Sequence, residues 1–284
     1  MDYKKHFNTN NITMKKAYLF FLVIMFGVTL AACGHDDEPE EQPDEIQTSE
    51  IDFYSRTIKG NNVAFLSDKG TVVLNYTKGT IQLTSKYNDF DGQPHTFTTG
   101  EMQVAYTGDG TLYTFRDPTM QTDYDGSTSV GLFDTATGVI LYTFNNEIGK
   151  IFTTTYLNFP SSEVRIGKIG DSYFITHDKS EFLFAPVDQG SKCVLQINNF
   201  VADMSGNVAA DVIQFMGLPM TSTPNGYTIV ADRAESTYGG NYTITDVNIS
   251  INNQCRGIYG SYLCNGYKIE FAAHLYEHHS LRIQ

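Results

Sequence analysis

The 284-residue chain has no tryptophan, only four cysteines, and a shortage of positive charge: 19 Lys and Arg stand against 32 Asp and Glu. A formal charge of −13 argues against nucleic acid as a partner, since that would require a basic face able to displace counterions. Also missing is an apolar run long enough to cross a bilayer. Ala17–Leu30 has 14 residues, whereas about 20 are needed. There is no G-x-S-x-G nucleophile elbow, no phosphate-binding loop and no cofactor motif. Without Trp the chain lacks the usual platform of a dedicated glycan-binding face. Its 18 Tyr and 19 Phe fit the cores and cross-strand pairs of a β protein. At 41% hydrophobic, the chain is neither disordered nor polytopic.

What is present begins with an address. Lys15 and Lys16 precede the apolar run, and Ala31, Ala32 and Cys33 follow it. A basic segment, a short apolar segment and small residues in that order make a secretory signal peptide. Leu30-Ala31-Ala32-Cys33 resembles the bacterial lipobox, which implies cleavage before a lipidated Cys33. Met14 stands where such a signal begins, and the polar residues 1–13 add nothing to it. Residues 33–50 then carry eight acids, Pro39 and Pro43, and no Lys or Arg. Like charges and proline favour an extended, solvated tether. Removing residues 1–32, with four Lys and one Asp, takes the net charge from −13 to −16. The tether holds −8 of that, and the body from residue 51 onward the other −8.

The body reads as all-β. Val247, Ile249 and Ile251 alternate with Asn248, Ser250 and Asn252. Tyr267, Ile269 and Phe271 alternate in the same way, as do Cys193, Leu195 and Ile197. The runs Val139–Phe144 and Thr111–Phe115 fit strands too, while Val208–Met216 fits helix or strand. Turn signals fall at Lys78-Gly79, Gly108-Asp109-Gly110, Asp125-Gly126, Asn225-Gly226 and Gly239-Gly240. Val73-Leu74, Met102 and Gly110–Thr114 have counterparts in Val194-Leu195, Met220 and Gly226–Thr228, in the same order. That pattern predicts two tandem antiparallel β modules, sandwich or barrel-like. The boundaries read as signal 1–32, tether 33–50, module one 51–165 and module two 166–284, with the junction at the Pro, Ser and Gly cluster from Pro160 to Gly170.

With lipobox, acidic tether and segments such as KCVLQINNF, MGLPM, NGYTIV and NGYKIEF, the chain resembles Bacteroidetes surface lipoproteins with calycin-like β domains. The likeness is best over Cys193–Phe271 and weaker over Asn62–Phe115. It implies a lipid-anchored protein on the outer face of the outer membrane. A periplasm-facing lipoprotein with a plain spacer is the alternative. The membrane, through the N-terminal lipid, is the one partner the sequence names.

Candidate chemistry is sparse. His274-Leu275-Tyr276-Glu277-His278 matches the H-x-x-E-H zinc pattern, yet it follows a strand and no acid lies downstream to complete the site. Asp89–Gly92 and Asp123–Gly126 share an Asp-aromatic-Asp-Gly pattern that suits a calcium loop or a plain turn. His177, Asp178 and Ser180 read as a polar turn. Cys255 and Cys264 flank RGIYGSYL as a candidate hairpin disulfide, and Cys193 sits on an apolar phase. Asp134-Thr135-Ala136 resembles an O-glycosylation acceptor at Thr135. The reading is a non-enzymatic binding or accessory lipoprotein with no assigned catalytic, cofactor or metal residue. The alternatives are a surface hydrolase or glycan-processing enzyme, and a protein-interaction or inhibitor lipoprotein.

Overall fold

A computed structural model of the chain describes residues 44–108, 111–117, 129–135, 137–252 and 255–275. Nineteen strands make up nearly all the regular structure of these residues, so the body is all-β. The first sheet contains β1 (Ile46–Lys59), β2 (Asn62–Asn75), β3 (Thr80–Asn88), β4 (Pro94–Thr98), β5 (Met102–Tyr106), β6 (Leu112–Phe115), β7 (Val130–Asp134), β8 (Val139–Asn145) and β9 (Lys150–Thr154). The second contains β10 (Leu157–Phe159), β11 (Ser161–Lys168), β12 (Phe174–His177), β13 (Glu181–Val187), β14 (Lys192–Phe200), β15 (Ala210–Thr223), β16 (Gly226–Glu235), β17 (Thr243–Asn252), β18 (Gly257–Cys264) and β19 (Tyr267–His274).

Both sheets close on themselves. The first runs β2-β1-β9-β8-β7-β6-β5-β3-β4, and a further pairing of β2 with β3 joins its ends. β4 and β5 share one edge of β3, giving eight positions round the ring. In the second sheet β10 begins the strand order and β11 comes next to last, yet only Pro160 separates them in the chain. β10 with β11, and β12 with β13, each act as one interrupted strand, again giving eight positions. All pairings are antiparallel, so each module is an up-and-down barrel without a continuous open edge.

Alternation along the strands decides which side chains fill each barrel. Val247, Ile249 and Ile251 of β17 are buried, while Asn248 and Ser250 are exposed. The first interior is aromatic, with Tyr87, Phe97, Phe115, Phe133, Tyr142 and Phe144 among its residues. The second is mainly aliphatic, with Phe182 stacked on Phe271 at a ring separation of 4.2 Å. β8 is buried on both faces: Ile140 and Tyr142 join the first core, whereas Val139 and Leu141 join the second module's cluster with Leu112 and Leu132. The outer face of β6–β8 is thus the floor on which the second module rests.

Several expectations change in detail. The switch between sheets falls between Thr154 and Leu157, and β10 and most of β11 precede residue 166. Pro160 interrupts a strand, which proline can do at an edge or bulge, and does not mark a linker. β1 starts at Ile46, within the stretch read as tether. Within Val208–Met216 the chain is strand from Ala210 onward, where β15 begins. Of the paired sequence matches, Met102 and Met220 occupy the fourth ring position of their modules, on β5 and β15. Val73-Leu74 lies on the second position of its ring and Val194-Leu195 on the third.

Candidate binding surface

The residues singled out by sequence do not converge. Cys33, the Asp123–Gly126 stretch and the tail from Tyr276 lie outside the described residues. The Asp89 carboxylate accepts the amides of Asp91 at 2.9 Å and Gln93 at 2.8 Å, and meets His95 Nε2 at 3.1 Å. The His95 contact and then the Gln93 amide hold its pKa below the usual carboxylate value. That carboxylate is committed to tying its own turn. Ser180 Oγ donates to the Asn199 carbonyl, and burial lowers the pKa of His177. These groups lie at the interruption between β12 and β13, which Ser180 ties to β14. Thr135 is half-buried beyond β7, with its hydroxyl donating to the Thr111 carbonyl at 3.1 Å. Among the described residues, no group of three or more His, Cys, Asp or Glu is placed to hold a metal ion.

The candidate disulfide is corrected. Cys193, Cys255 and Cys264 are all free and buried. RGIYGSYL is not a hairpin loop: Gly257–Cys264 is strand β18 itself. Cys255 precedes that strand and Cys264 ends it, so the two lie roughly 25 Å apart at strand rise, far beyond bridging distance. Burial raises the thiol of Cys193 to about 12 and that of Cys264 to about 11, from an ordinary 9.0. Burial also raises Cys255, with Arg56 opposing. A raised folded-state pKa contributes stability in full below the unfolded value and loses it as pH climbs. The protein is therefore expected to lose stability progressively from about pH 9 to about pH 12. At pH 8, iodoacetamide should modify none of the three thiols until the chain is unfolded. Labelling of Cys193 in the folded protein, seen by peptide mass, would contradict this burial.

The structure instead draws attention to the seam between the barrels, which sequence reasoning did not mark. Arg56 points outward from the first barrel and is fully buried against the second. Its Nη1 donates to the Thr223 carbonyl at 3.0 Å and its Nη2 to Cys255 Sγ at 3.7 Å. Its guanidinium lies 4.5 Å from the Tyr227 ring centroid and 5.3 Å from that of Phe152. A planar, weakly hydrated cation suits such a dry aromatic seat.

Farther along the same seam lies an open groove of about 520 Å³. β2 lines it with Phe65, Leu66 and Asp68, β3 with Lys86 and Asn88, and the second module with Gln189. Asp188, Gln189 and Gly190 form a short turn whose three φ angles are 50°, 53° and 80°. Gly190 is required there, because a Cβ would come within 2.7 Å of the Phe65 ring. Elsewhere, the β11–β12 hairpin exposes Ile169, Tyr173 and Phe174 by 62%, 67% and 47%. Arg165 lies over the Phe174 ring at 5.1 Å.

Comparison with known proteins adds little. No protein family and no curated sequence matches the chain. Among solved structures, the isotype 1 transferrin binding protein B of serogroup B Neisseria meningitidis is similar at 8% identity, over 82% of this chain and 75% of that one. The TM-score of 0.22 is too low to bear on either fold or ligand.

Proposed function

We propose that the protein is a non-enzymatic binding lipoprotein, anchored through lipid on Cys33 and displayed on the outer face of the outer membrane. In this reading it belongs with the Bacteroidetes surface lipoproteins with calycin-like β domains that its sequence resembles. The acidic stretch before β1 is the stalk, the two barrels are copies of one module, and Thr135 accepts an O-glycan. The supporting observation is that both barrels are filled by their own side chains. Among the described residues these side chains take up the barrel interiors, so binding falls to the outer surface. There the seam between the modules offers a mixed polar and apolar groove. A macromolecule fits such a surface better than a small molecule does.

The test is access from outside the cell. A membrane-impermeant amine label added to intact cells is expected to modify the exposed lysines of the body, among them Lys69 and Lys268. Labelling that appears only after the outer membrane is permeabilised would place the protein on the periplasmic face and overturn surface display.

A further inference from the structure

The outer edge of β2 is only partly used. β2 pairs with β1 along its whole length, Asn62 to Asn75, but with β3 only from Thr71 to Asn75. Toward Asn62 the two strands part, and β3 carries β4 on its other edge. The groove opens at this parting. Every second residue of β2, in phase with Ser67, turns its N–H and C=O away from β1 and toward the groove.

Side-chain amides already occupy that edge. The Ser67 N–H donates to Gln189 Oε1 at 3.2 Å, and Gln189 Nε2 approaches the Ser67 carbonyl at 3.5 Å. Asn88 Nδ2 donates to the Phe65 carbonyl at 3.1 Å. A carboxamide carries the same donor and acceptor as a peptide group. β2 is therefore paired at two alternate residues much as a neighbouring strand would pair it.

The Asn88 bond is partly buried, but the Gln189 substitute is lightly held. Both Gln189 contacts are solvent-exposed. The Lys86–Asp68 ion pair across the groove is 43% and 40% exposed, a setting in which such pairs contribute little. Gln189 itself occupies a left-handed conformation unfavourable to a residue with a side chain.

We infer that this edge accepts an extended segment of a partner polypeptide, which adds a strand to β2 and displaces the Gln189 carboxamide. The segment is uncharged where it pairs, because Asp68 and Lys86 already neutralise each other and leave the groove nothing to offer a charge. The inference rests on the binding role proposed above and specifies how binding occurs. Main-chain hydrogen bonds supply the attraction, as in other cases of strand addition.

The experiment uses the full-length protein in mild detergent and a fluorescent peptide of alternating Thr and Val with a lysine at each end, followed by anisotropy. The peptide is expected to bind. Gln189→Ala should tighten binding about fivefold by removing the competing amide. Ser67→Pro, which removes an edge N–H without touching the β1 ladder, should abolish it. The same peptide N-methylated at the alternate amides that face β2 should not bind any form of the protein, which controls for a misfolded Ser67→Pro variant. Binding that survives N-methylation, or no binding even to Gln189→Ala, overturns the inference. Such a failure in a protein that is labelled on intact cells removes strand addition alone; absence from the surface removes the broader reading.

Discussion

Replacing Arg56 with alanine is expected to destabilise the protein by roughly 3 kcal/mol, which in a body of this size lowers the melting temperature by about 10 °C. Three losses combine. The cavity left between Tyr227 and Phe152 forfeits packing on both rings. The Thr223 carbonyl loses its charged donor at a partly buried position. The turn that carries Thr223, which packs so closely on β17 that a Cβ at Gly226 would sit 1.8 Å from the Ile251 carbonyl oxygen, loses its brace. Arg56→Met keeps the apolar bulk and forfeits the hydrogen bonds, so its cost should be smaller, about 1 to 2 kcal/mol. Arg56→Lys keeps the charge but not the planar fork over Tyr227, and should fall between parent and alanine. Lys268→Ala, at an exposed pair with Glu270, is the control and should stay within about 0.5 kcal/mol of the parent. Thermal unfolding decides the matter: an Arg56→Ala variant as stable as the Lys268→Ala control would show that the seam does not depend on this side chain.

Arg56 also shows where sequence stops being informative. β17 was legible because one face meets a core and the other meets water, so its residues alternate. The Val139–Phe144 run was legible for the opposite reason: it is buried on both faces, and both faces are apolar. β1 follows neither rule. Ser55 and Thr57 share the buried inner face with Phe53, while the outer face carries Tyr54 and Arg56 into the seam. No local pattern announces a strand whose two sides meet two different modules. Barrel closure was hidden for a related reason, since β1 pairs with β9 across about a hundred residues and nothing in either segment names the other. RGIYGSYL, read as the hairpin between two cysteines, is strand, and its two glycines mark no turn. Gly260 instead admits a close neighbour, as a Cβ there would lie 2.6 Å from the Asn248 carbonyl oxygen. The groove could not have been found from spacing at all. It arises where β2 leaves β3 and a turn from the other module, Asp188–Gly190, comes alongside.

Replacing Cys33 with alanine is expected to move the protein from the membrane fraction to the soluble fraction. The barrels explain why the effect should be nearly complete. A barrel that lives in a bilayer turns apolar residues outward and keeps its interior polar. These barrels are built the other way: Ile249 and Ile269 point inward, whereas Asn248, Ser250, Lys268 and Glu270 face water. Among the described residues no helix is long and apolar enough to cross a membrane. A body with this exterior and a net charge of −8 from residue 51 onward has little affinity for an anionic surface. Attachment then depends on acyl chains, each buried methylene of which contributes about 0.8 kcal/mol, and two chains give the stable anchoring that one does not. On the anchoring proposed above, Cys33→Ala removes the atom that would carry them. Because uncleaved leader could itself hold the variant at the membrane, the measurement pairs fractionation with the mass of the N-terminal peptide. Variant protein that has lost its leader and still sediments with membranes would show that the body binds there by itself, and the role of Cys33 as anchor would fall.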